Sequence, residues 1–171
     1  MPSHVFVDEN KSRGLLMAAA ACVAGDVNAH RRTMRSLLLP RQRRLHFFKE
    51  SAAHQRKILG VIEGFGLEVK LYATPSDSHA GRERCLNAIV QDAAGTAERL
   101  VIERDESRLE FDRRTLYRAV RTYGCVDTLQ YELLAPHLDP LLWIPDAVAW
   151  SWAKGGEWRQ LVAPYSELTE L

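Results

Sequence analysis

Two apolar runs near the start of the chain, His4-Val5-Phe6-Val7 with Asp8 at its end and Leu15 to Val23, are separated only by a polar connection, Glu9 to Gly14. Short runs bounded by charged residues and glycine suit buried strands. Their closeness predicts an antiparallel pair, so the chain opens with a hairpin. The alanines of the second run would also suit a helix, but its length between Gly14 and Gly25 favours a strand. The first strand runs straight into Asp8 and Glu9. An acid at the end of a buried strand stands at the rim of a sheet, where α/β proteins assemble sites. A solvated loop carboxylate is the plainer alternative. In a regular strand Asp8 and Glu9 face opposite sides of the sheet.

Beyond the hairpin, helical and extended patterns alternate. Asp26 is placed to cap a helix over Val27 to Leu39, which Pro40 ends. A basic loop, Arg41-Gln42-Arg43-Arg44, leads to a short strand-like piece, Leu45 to Phe48. A helix over Ala52 to Glu63 follows, stopped by Gly64 and Gly66. The strand predicted over Leu67 to Ala73 puts Leu67, Val69 and Leu71 on one side. Next come a helix over Ala80 to Ala97 and a strand, Leu100-Val101-Ile102-Glu103, that again ends in acid. A helix over Arg113 to Tyr123, with Asp112 as its cap, precedes a strand over Leu129 to Leu134. Pro145 opens the last helix, which runs to Lys154. This order predicts an α/β fold: a mixed sheet built on a leading antiparallel hairpin, then alternating strands and helices, with helices on both faces. No linker or repeat divides residues 1–171, so one domain is expected, with its core over 4–155 and 156–171 as a tail or cap.

Composition narrows the function. A net charge of +1 excludes a protein that attracts nucleic acid by overall charge. The arginines nevertheless cluster, at Arg31, Arg32 and Arg35, at Arg41, Arg43 and Arg44, and at Arg113, Arg114, Arg118 and Arg121. Arginine suits bidentate phosphate contacts, and a solvated helix face is the alternative. Cys22, Cys85 and Cys125 lie far apart without metal-ligand spacing, as expected of buried thiols in a reducing, cytoplasmic compartment. No apolar run reaches membrane-spanning length and no signal peptide is expected. There is no phosphate-binding glycine loop of the Walker or dinucleotide type.

Four acids stand at strand ends or helix starts: Asp8, Glu50, Glu103 and Asp146. Asp105 follows Glu103 by two residues and shares its face if the strand continues. Carboxylates gathered from such rigid positions are what a site for hard divalent cations needs. Each also has a plainer use; Asp146, for instance, suits the positive end of its own helix without any ligand.

The segments Val5-Phe6-Val7-Asp8-Glu9, Leu45-His46-Phe47-Phe48-Lys49-Glu50, Leu100-Val101-Ile102-Glu103 and Leu142 to Trp150 resemble, in that order, motifs of the RNase H-like superfamily. More narrowly they resemble the bacterial family catalogued as domain of unknown function 3800. Glu103 stands where that family has Asp, Pro145 where it has a small residue, and Asn10-Lys11-Ser12 where it has a small-residue turn. The resemblance implies an RNase H-like sheet and a divalent-metal-dependent nuclease acting on RNA or DNA. It implies Mg²⁺ or Mn²⁺ at Asp8, Glu50, Glu103 and Asp146, with Asp105 as a further candidate ligand. Arg41, Arg43, Arg44 and Lys49 would then hold the nucleic-acid backbone, and His46 or His137 could move protons.

The alternative is a non-catalytic binding module on the same fold, part of a toxin or defence system. At helical spacing some or most of Trp143, Trp150, Trp152 and Trp158 belong to the core, and an exposed pair among them would make a homodimer or partner surface near the C-terminus.

Overall fold

The computed structural model describes all 171 residues. Strands β1 (Ser3–Asn10) and β2 (Leu15–Val23) form the expected antiparallel hairpin. Gly14 closes it at φ +86°, with the backbone of Thr74 and Pro75 so near that an added Cβ would lie 2.6 Å from a carbonyl oxygen. Helix α1 (Val27–Arg35) and helix α2 (Ala52–Gly64) follow, then β3 (Glu68–Thr74), α3 (His79–Ala93), β4 (Ala97–Glu103), α4 (Leu109–Thr122), β5 (Gln130–Leu134), α5 (Trp143–Lys154), α6 (Gly156–Val162) and β6 (Ser166–Glu170). The strands make one six-stranded sheet in the order β5-β4-β1-β2-β3-β6. β2 is antiparallel to β1 and β3, whereas β4 runs parallel to β1, β5 to β4 and β6 to β3.

Alternation along the strands sorts the core into two layers. Phe6, Ala18, Ala20, Val69, Leu71 and Val101 face the layer formed by α1, α2 and α5. Val5, Val7, Met17, Leu100 and Ile102 face α3 and α4. Helix α5 lies across β1 and β2. Its Ala147 and Ala149, with Ala18 and Ala20 beneath, are fully or almost fully buried, and small residues on both sides let helix and sheet approach closely. That contact carries Asp146 toward the end of β1.

Several local expectations change. Leu45 to Phe48 is not a strand: Leu45 and Phe47 are buried in the core while Phe48 is exposed, and a 3₁₀ turn spans Phe47–Lys49. Asp112 is not a cap, because α4 starts earlier and the carboxylate is wholly buried on Arg82. Asp26 precedes α1 but caps nothing with its side chain, whereas Ser51 does cap α2, accepting from the His54 N–H. Helix α5 begins at Trp143, so Pro145 sits third, still within the turn whose N–H groups have no helical partner. Residues 156–171 are no loose tail. They form α6 and β6, whose pairing along β3 extends the sheet at its far edge.

All three cysteines are buried and free. No helix is long and apolar enough to cross a membrane. None of the four tryptophans is exposed. Trp143 is in the core, and Trp150, Trp152 and Trp158 pack against it, Trp150 edge-on to both Phe47 and Trp158.

Candidate active site

The register of the parallel pair decides where the acids fall. Val7 of β1 pairs with Ile102 of β4, so the next step along each strand sets Asp8 beside Glu103 on the face covered by α5. The Asp8 and Glu103 carboxyls are within hydrogen-bonding reach of one another. Asp146, in the first turn of α5, adds its charge from above. Three of the acids singled out in the sequence thus meet in one place, from β1, β4 and α5.

Their environment is poor in countercharge. Burial pushes the Asp8 carboxyl well above the usual carboxylate range, and the adjoining Glu103 and Asp146 carboxyls push it further. One contact opposes them, the Glu9 N–H donating to Asp8 Oδ1 at 2.7 Å. Burial, and then the charge of Glu103, raises Asp146 to about 6, against a weak hydrogen bond from the Phe47 N–H to its Oδ2 at 3.4 Å and the charge of Arg44. Arg44 is the cation at this cluster, its Nη1 lying 3.8 Å from Glu103 Oε1.

The other acids have partners of their own. Glu50 accepts two hydrogen bonds from the Gln42 amide, at 3.1 and 3.2 Å, and lies 3.7 Å from the His54 ring. It flanks the site through His46, whose imidazole feels both Glu50 and Glu103. Burial, followed by the charges of Arg44 and Lys49, lowers that imidazole below its ordinary value and keeps it neutral at pH 7. Asp105 does not continue the strand. β4 ends at Glu103, and Asp105 turns to accept from Lys11 Nζ at 3.0 Å and from the Ser107 hydroxyl at 2.6 Å. Burial there is outweighed by these hydrogen bonds and the Lys11 charge, which hold Asp105 down at about 2. The expectation that Glu103 and Asp105 share a face fails because that turn ends the strand.

The basic loop lies beside the acids. Arg41, Gln42, Arg43, Arg44, His46 and His137 line an open depression of about 400 Å³. Arg41 and Arg43 are exposed, as is Lys49 on the adjoining 3₁₀ turn. The two histidines singled out separately in the sequence are therefore neighbours across this cleft.

Sequence reasoning missed what stands behind the site. Arg82 is fully buried and makes a bidentate pair with Asp112, at 2.6 and 2.7 Å, and a third bond to Glu9 at 2.5 Å. An arginine in the first turn of a helix that begins after a Ser cap gave no sign of burial; only the convergence of Asp112 and Glu9 on it in three dimensions reveals it.

No protein-family profile matches this chain. No curated protein matches it either. Among solved structures it is similar to a chain of the PCNA–RNase HII complex from Archaeoglobus fulgidus. The superposition has a TM-score of 0.52 at 14% identity, covering 96% of this chain and 77% of the other. The fold is RNase H-like. At that identity the likeness speaks for the fold alone, and an RNase H-like sheet with an acid at the end of its first strand agrees with the class expected from the sequence.

The donor set suits a hard divalent cation. All three clustered groups are carboxyls, the oxygen ligands such ions take, and the mutual repulsion at Asp8 and Asp146 is what a bound cation would relieve. As they stand, no three or more His, Cys, Asp and Glu side chains are placed so that together they could hold a metal ion. Burial and the neighbouring carboxyls instead raise Asp8 and Asp146 above the ordinary carboxylate range.

Proposed function

We propose that this protein is a divalent-metal-dependent nuclease that hydrolyses phosphodiester bonds of RNA or DNA. The observation that carries the reading is the meeting of Asp8, Glu103 and Asp146 near the end of β1, with Asp8 buried, the other two partly buried, and little countercharge beside them. Carboxylates whose proton affinity is shifted by burial and by a specific neighbouring charge are candidates for a functional site. The resemblance of the four ordered motifs to the family of domain of unknown function 3800, and the RNase H-like fold, support the same reading.

Asp8, Glu103 and Asp146 would hold Mg²⁺ or Mn²⁺, with Glu50 flanking them from beyond His46. When bound, such an ion activates water and stabilises charge developing on a phosphoryl oxygen. The chain's own residues supply the rest. Arg44 neutralises part of the cluster, and Arg41, Arg43 and Lys49 offer exposed cations for the phosphate backbone without reading sequence. His46, neutral at pH 7 and beside Glu103, is placed to accept a proton.

The test is cleavage of labelled RNA and DNA with Mn²⁺, paired with melting curves with and without the ion. The wild type should cut and be stabilised by Mn²⁺. Asp8→Ala and Asp146→Ala should lose at least a hundredfold in rate, and lose the Mn²⁺ stabilisation, while remaining folded. Equal cleavage by the variants would assign the activity elsewhere. A wild type that Mn²⁺ does not stabilise would favour a non-catalytic module on this fold.

A further inference from the structure

The 3₁₀ turn Phe47–Lys49 presents two adjacent aromatic residues in opposite ways. Phe47 is 1% exposed and packs edge-on to Trp150 at 5.3 Å, whereas Phe48 is 60% exposed. The turn that holds Phe48 out is tied down at both ends. The Phe47 N–H donates to Asp146, the Gln55 side chain donates to the Phe47 carbonyl at 2.8 Å, and the Lys49 and Glu50 N–H groups close the turn onto His46 and Phe47. A large apolar ring is thus fixed in solvent one residue from a peptide group that touches the acid cluster.

We propose that Phe48 is a stacking platform for an unpaired nucleobase, so that the site takes single-stranded nucleic acid. This rests on the nuclease reading above and adds the substrate class. Every nucleobase presents a flat π-face, but in a duplex those faces are already stacked, so a lone exposed ring discriminates in favour of unpaired strands. The surroundings of Phe48 match a polynucleotide. Lys49 Nζ stands over one face of its ring, 5.5 Å from the centroid, leaving the other for a base, and the His46 ring is edge-on at 6.3 Å. His46 also lines the arginine-bordered depression, so phosphate-binding cations begin where the ring ends. A protein partner would call for a contiguous apolar patch, and here the neighbours are cationic. The other exposed aromatic, Tyr117 on α4, differs: the Arg121 guanidinium already covers its ring at 3.4 Å.

The experiment is fluorescence anisotropy with a short labelled oligonucleotide, single-stranded and as a blunt duplex, in EDTA to prevent turnover. Wild type, Phe48→Ala and Phe48→Tyr are compared, with melting curves to establish that all three fold. The wild type should prefer the single strand. Phe48→Ala should weaken that binding about tenfold, within the range that stacking of one base supplies, and leave duplex binding unchanged. Phe48→Tyr should bind as the wild type does. Tight single-strand binding that Phe48→Ala leaves untouched overturns the stacking role alone, frees the ring for a protein contact and spares the nuclease reading. Equal loss for single strand and duplex also overturns it. A wild type that binds neither in EDTA nor, measured before turnover, in Mn²⁺ removes the nuclease reading and this inference together.

Discussion

Asp8 and Glu9 are neighbours in sequence and opposites in circumstance. Glu9 faces α3 and α4 and meets Arg82, which also grips Asp112, so two acids share a buried guanidinium with each of its three nitrogens bonded. Asp8 faces α5 and meets Glu103 and Asp146, so acid is set against acid with Arg44 at the margin. One side of the strand is electrostatically satisfied and joins β1 to two helices. The other is frustrated, and frustration of that kind persists only where the surrounding packing enforces it. The contrast teaches that burial of an acid is not what marks a site; burial without a partner is.

The largest effect should come from the satisfied side. Replacing Arg82 with Met leaves Asp112 buried, and Glu9 partly buried, without their cation, a loss of about 3–5 kcal/mol. Denaturant unfolding should show it directly, and a variant as stable as the wild type would erase the distinction drawn here.

The frustrated side should respond in the opposite sense. The Asp146 carboxyl moves from its ordinary 3.8 to about 6 on folding. Below pH 4 it is protonated in both states and costs nothing. As pH rises from 4 to 6 the unfolded chain releases the proton and the folded chain keeps it, so stability falls, and above 6 the loss is complete. It amounts to on the order of 2–3 kcal/mol. Asp146→Asn should therefore melt higher than the wild type at pH 7 and lose that part of the decline, as parallel melting curves across this window would reveal. Matching pH profiles would mean that the cluster is relieved by something other than a retained proton.

The smallest effect sharpens the boundary of the site. Asp105→Asn breaks a partly exposed contact with Lys11 and should cost under about 1 kcal/mol. Its Mn²⁺-induced shift in melting temperature should equal that of the wild type. Loss of that shift would restore Asp105 as a ligand in place of Glu103.

Much of the fold was legible because periodicity is local. The hairpin, the strand with Val69 and Leu71 inward, and the helices that became α2, α3 and α5 follow from apolar spacing and their glycine, serine or proline boundaries. Leu45 to Phe48 misled because a short apolar run in a loop can be buried by its neighbours without pairing to a strand. The C-terminal residues misled for the converse reason. Ser166–Glu170 has almost no apolar signal, since an edge strand gains its hydrogen bonds from β3 and need not bury its side chains.

By itself, then, the sequence determined the mixed sheet and the placing of Asp8, Glu103 and Asp146 at element ends, because those depend on spacing along the chain. The tertiary structure alone decided which acids meet. Parallel register brings Glu103 to Asp8, close packing of small residues brings α5 and Asp146 down onto β1, and a turn sends Asp105 to Lys11 instead. It also decided that Arg82 is buried and Phe48 exposed, since both depend on what packs around a residue from distant parts of the chain.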